Sequence, residues 1–92
     1  MIHVVYGADR VTVRGHAGFA PRGSDIVCAA ASALVYAFVG ALEAKNCLRE
    51  VTVKPGLVSV AAREGCGAEF AMLRCGLSQL AGKYPKCVRI EN

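Results

Sequence analysis

Two residues of this 92-residue chain have the types and spacing of a thiol nucleophile and its base: His16 and Cys28, within "GHAGFAPRGSDIVCAAASAL", Gly15 to Leu34. A cysteine attacks carbonyl carbon as the thiolate, and a nearby imidazole serves first as base and then as acid. Ser24 and Asp25 are both good N-caps for a helix beginning at about Ile26. With Asp25 as the cap, Cys28 falls in the first turn, near N3. Free backbone N–H groups and the positive end of the helix dipole sit there, and both favour thiolate over thiol. Those N–H groups are also candidates for an oxyanion hole, with the Ser32 hydroxyl a weaker one. Ser32 lies four residues after Cys28, on the same helix face. Asp25 would either cap the helix or orient His16, and the cap is preferred because one carboxylate does not do both well. Gly15, Gly18 and Gly23 bracket the loop between His16 and Cys28. They permit close backbone approach and motion over a peptide substrate.

The elements that must hold this pair follow from patterning. "IHVVY" and "RVTVRGH" are β-rich runs separated by the turn signal "GAD". A helix is predicted from about Ile26 to Lys45. "CLREVTVKPGLVSVAAR" reads as two more strands joined at Pro55 and Gly56. A second helix is predicted from about Ala68 to Lys83, with Phe70, Leu73, Leu77, Leu80 and Tyr84 on one face, ended by Pro85. "KCVRIEN" offers a short final strand. The order β-β-α-β-β-α(-β), built from hairpins, predicts an α+β two-layer sandwich. It has an antiparallel sheet, two helices on one face, and one domain over 1–92.

Composition narrows the functions. The chain is 54% hydrophobic, more than so small a domain buries alone, which favours self-association. The segment from Ile26 to Leu42 carries no charge and imitates a membrane span. It is simpler as a core helix with a second face against another subunit. "MIHVVYGADR" lacks the basic and apolar regions of a signal peptide. The net charge is +4, but the basic residues are scattered among acids, which argues against direct nucleic-acid binding. Five cysteines, Cys28, Cys47, Cys66, Cys75 and Cys87, contain no C-x-x-C. An odd count without a leader argues against a disulfide framework or a zinc site and for a reducing cytoplasm. There is no GxGxxG, P-loop or HExxH, so no cofactor or metal is expected. His3 reads as structural or exposed.

The opening stretch resembles the signature of the ribosomal-processing cysteine protease family: G-H-A, a short glycine-containing loop, D-I-V-C-A and a nearby serine. The resemblance implies a small homodimeric α+β cysteine protease of bacteria. Such a protease removes an N-terminal extension from large-subunit ribosomal protein twenty-seven. It also implies His16 and Cys28 as catalytic dyad, Asp25 and Ser32 in supporting roles, and a His-to-Cys loop that moves without substrate. The chain is more basic than the family suggests, and a basic enzyme gains no electrostatic steering toward a basic ribosomal tail.

Two other readings fit parts of the sequence. A non-catalytic, ribosome-associated peptide- or RNA-binding module would use the positive charge and the apolar surplus, with Cys28 buried. A redox-sensing thiol would need one of Cys47, Cys66, Cys75 or Cys87 beside Cys28 as a resolving partner.

Overall fold

Two β-hairpins, each followed by a helix, account for most of the chain. In the computed structural model, which describes residues 1–91, the first hairpin is β1 (Ile2–Gly7) and β2 (Arg10–Arg14), followed by α1 (Ile26–Ala44). The second is β3 (Leu48–Lys54) and β4 (Leu57–Ala62), followed by α2 (Gly67–Lys83) and then β5 (Val88–Glu91). Asn92, the end of the expected final strand, lies outside the described residues. Gly7 pairs with Arg10 and Lys54 with Leu57, so both hairpins turn on two residues. In the second turn Gly56 takes φ +72° after Pro55, the residue pattern a type II turn asks for.

The five strands form one sheet in the order β3-β4-β2-β1-β5. The first four pair antiparallel, as expected, but β5 runs parallel to β1. The antiparallel sheet expected from the hairpins is therefore extended at one edge by a parallel strand. A parallel pair needs a crossover rather than a hairpin, and α2 supplies it between β4 and β5. The amide of Ile2 donates to the Cys87 carbonyl at 2.8 Å, fixing where β5 joins.

One face of the sheet is apolar. Ile2, Val4, Val11, Val60, Ala62 and Val88 are buried with Val27, Ala31, Val35, Phe38 and Leu42 of α1 and Leu73 and Leu77 of α2. The remaining apolar positions expected on α2, Phe70, Leu80 and Tyr84, pack against this cluster. Full burial of a residue such as Leu42 or Leu77 stabilises by about 1.5–3 kcal/mol. The opposite face is polar: His3 Nδ1 and Glu91 Oε1 are 2.8 Å apart, and Arg10 donates to Ser59 at 3.2 Å and Glu50 at 3.3 Å. The hydrogen bond to His3 holds the Glu91 carboxyl below its ordinary value.

Helix α1 is long and apolar enough to cross a membrane by length and composition, yet one face of it is core. It ends in a Schellman motif. Asn46 adopts φ 57° and donates to the Glu43 carbonyl, and Cys47 donates to the Leu42 carbonyl.

The helix layer covers the start of β3, where Leu48 packs against the core, but not the rest of the strand. By register Val51 and Val53 face the same way as buried Val60 and half-buried Val58. They are nevertheless 42% and 56% exposed. The uncovered strip runs beside the first turns of α1, and it forms one wall of the site.

Candidate active site

Cys28 owes its place to Asp25. The Asp25 carboxylate caps α1, Oδ1 accepting from the amides of Val27 and Cys28, each at 3.0 Å. Cys28 is thus the third residue of the helix, half-exposed, at the end where the dipole is positive. The second oxygen, Oδ2, accepts from Phe19 at 3.0 Å and Ala20 at 3.3 Å, both in the loop. The amide of Cys28, then those of Ala20, Phe19 and Val27, hold this carboxyl below its ordinary value. Both oxygens are committed to backbone amides, so Asp25 is cap and loop anchor rather than a partner of His16.

The loop closes back on the thiol. The amide of Ala17, directly after His16, donates to Cys28 Sγ at 3.2 Å. Ala17 itself is buried, while His16 is exposed at the mouth of the loop. Farther along, the Phe19 ring meets Tyr84 edge-on with centroids 5.4 Å apart. Gly15, Gly18 and Gly23 all take positive φ. At Gly15 the demand is steric as well, because a Cβ would collide with the carbonyl oxygen of Met1.

His16, Cys28 and Ser32 together line two adjoining depressions. One, of about 180 Å³, lies between α1 and the β3–β4 hairpin, with Val35, Tyr36 and Val53 among its apolar walls. The other, of about 430 Å³, lies under the loop and adds Arg22 and Asp25. The pair expected to do chemistry is therefore brought to one open groove with Ser32 one turn away.

Two features were not anticipated from the sequence. The first concerns the oxyanion hole. The amides of Val27 and Cys28 are already satisfied by Asp25, so they are not free donors as expected. The amide that lies at the sulfur is that of Ala17. The second is the β3–β4 turn. The amide of Gly15 donates to the Gly56 carbonyl at 2.8 Å, and the His16 ring lies against Gly56. Nothing in "VKPGLV" beyond a turn signal marks it as part of a site, because the contact depends on strand pairing.

The other thiols lie elsewhere. Cys47 and Cys66 sit beside each other at the start of α2. A hydrogen bond with Cys47, and then burial, push the Cys66 thiol up to about 11. All five cysteines are free. Among the described residues, no second cysteine lines the groove around Cys28. The redox reading loses the resolving partner it needs.

Comparison with known proteins places the chain. The model of a family described as cysteine protease Prp matches residues 1–89. The ribosomal processing cysteine protease Prp of Mycoplasma pneumoniae is 30% identical over 97 residues, covering 100% of this chain and 95% of that protein. The chain belongs to the Prp family of cysteine proteases. Solved structures agree on the fold. A Prp from S. aureus, in complex with a covalently linked product peptide, superposes with a TM-score of 0.84 at 20% identity. That match covers 98% of this chain and 95% of the S. aureus chain. A Streptococcus mutans protein superposes at 0.80 with 27% identity, over 99% and 92% of the two chains. The family makes this protein a ribosomal-processing cysteine protease, and the binding-module reading gives way to an enzyme.

Proposed function

We propose that His16 and Cys28 are the catalytic dyad. On this reading the protease removes an N-terminal extension from large-subunit ribosomal protein twenty-seven of a bacterial host. The observation that carries the dyad is the 3.2 Å contact from the Ala17 amide to Cys28 Sγ, which ties the residue next to the imidazole to the sulfur. His16 takes the thiol proton, and the thiolate attacks the scissile carbonyl. The C–N bond breaks as His16 returns the proton to the leaving amine, giving a thioester on Cys28. Water, deprotonated by His16, then releases the new carboxylate and regenerates the thiolate. The Ala17 amide, already at the sulfur, is placed to donate to the oxyanion of each tetrahedral intermediate. Ser32 lines the groove within one turn of Cys28 and supports substrate binding there. Gly18 and Gly23 let the loop adjust over the peptide.

The apolar strip formed by Val53 and Tyr36 suits an extended peptide with apolar side chains. A homodimer is supported by the uncovered apolar side chain of Ile26 on α1, which is 58% exposed. Five free thiols suit the reducing cytoplasm, where ribosomes mature.

Intact-mass analysis of the host's ribosomal protein twenty-seven precursor, incubated with the purified enzyme, tests the reading. The expected result is one discrete N-terminal loss that is absent with Cys28→Ser. An untouched precursor that does carry an extension would remove this substrate. Undiminished cleavage by Cys28→Ser would remove the dyad.

A further inference from the structure

The β3–β4 turn is remote in sequence from the loop, yet one of its residues meets both the proposed base and the backbone just before it. The carbonyl of Gly56 accepts from the amide of Gly15 at 2.8 Å, which fixes the backbone immediately before His16. The open face of Gly56 meets the imidazole. A Cβ at this position would stand 3.3 Å from His16 Nε2 and 3.9 Å from both Cδ2 and Cε1. The contact at Nε2 is closer than a methyl group comfortably makes, so any side chain here pushes on the ring.

We propose that Gly56 is a positioning residue for His16: its carbonyl holds the chain before the base, and its missing side chain is the seat of the imidazole. The proposal rests on His16 being the base. It goes beyond that assignment by giving the second hairpin a part in the reaction.

A bland explanation exists for this glycine. Its φ of +72° is a conformation that glycine adopts freely. Two substitutions separate the explanations. Asparagine tolerates positive φ better than alanine does but is bulkier. A turn residue with no other duty would therefore lose stability and activity in the same order, alanine worse than asparagine. A seat for the imidazole reverses the order for activity. Gly65, at the start of α2, is the control. It has φ +94° and nothing within 4 Å of where a Cβ would stand.

The full-length chain is made as Gly56→Ala, Gly56→Asn, Gly65→Ala and His16→Ala. Each is measured for thermal midpoint, for cleavage of the twenty-seven precursor, and for the pH dependence of Cys28 alkylation by iodoacetamide, read by peptide mass. Gly56→Asn is expected to melt above Gly56→Ala yet to turn over more slowly, with a loss of about tenfold or more against wild type. Its alkylation profile is expected to move toward that of His16→Ala, while Gly65→Ala keeps the wild-type profile. Alkylation does not depend on the ribosomal substrate, so this readout stands whatever the natural peptide is. Activity that follows stability across the variants, with a wild-type alkylation profile, overturns the proposal and leaves the dyad intact. Wild-type cleavage and alkylation in His16→Ala overturns the dyad, and the proposal with it.

Discussion

The molecule contains the same unit twice, a hairpin followed by a helix with a cysteine near its start, and the two copies treat that cysteine in opposite ways. In the first unit eleven residues, Gly15 to Asp25, separate strand from helix. Asp25 caps the helix, Cys28 is its third residue, and the loop returns to set the Ala17 amide on the sulfur. In the second unit the link is short, and Cys66 is itself the N-cap residue, without a side-chain cap hydrogen bond among the described residues. Cys66 is 1% exposed beside Cys47, and its thiol is pushed up to about 11. A helix N-terminus therefore does not by itself make a nucleophile. The thiol must stand clear of the core, and a polar donor must reach it. The long loop supplies both conditions in the first unit, whereas the tight link in the second turns its cysteine into a packing residue.

The largest effect that would break this contrast is on catalysis. Replacing Cys28 by serine is expected to lower cleavage by about 10⁴-fold or more. Replacing Cys66 by alanine should leave turnover within about a factor of two once protein is matched for folded fraction. Equal losses from both would show that the second unit takes part in the chemistry.

A smaller effect concerns thiol reactivity. At pH 8, a thiol near 11 is roughly one part in a thousand thiolate. Cys66 should therefore react with iodoacetamide about a hundredfold more slowly than exposed Cys75, and the gap should close on unfolding in urea. Fast labelling of Cys66 in the native protein would mean that the link before α2 opens.

The smallest effect sharpens the role of Asp25. Asp25→Asn keeps an oxygen for the amides of Val27 and Cys28 but presents an NH₂ group to Phe19 and Ala20, which are also donors. It should keep most of the thermal midpoint while loosening the loop, seen as faster amide exchange at Phe19 and Ala20. Asp25→Ala loses both functions, and its midpoint should fall by about 5 °C. Because the Asp25 carboxyl is depressed in the folded state, its stabilisation is fully present above the ordinary value of 3.8. It is lost as pH falls through the lower folded value. The wild-type midpoint should therefore drop more steeply below about pH 4 than that of Asp25→Asn. Parallel curves would show that the anchor contributes nothing in solution.

Much of this was legible in the sequence because its causes are local. An aspartate three residues before a cysteine, at the start of an apolar run, dictates a capped helix with the thiol in its first turn, and α1 obeys. Alternating Val and Thr residues and a Pro-Gly pair dictate hairpins, which form with the registers those turns impose. Three decisions came from the tertiary structure. The parallel pairing of β5 with β1 depends on where α2 delivers the chain, which no strand pattern records. The commitment of both Asp25 oxygens to amides, which leaves Ala17 as the donor at the sulfur, depends on how the loop folds back. The contact of His16 with Gly56 depends on β2 and β4 becoming neighbours, and that pairing is driven by burial of Val11 and Val60 against the helices. Local chemistry chose the residues of the site, and long-range burial chose what surrounds them.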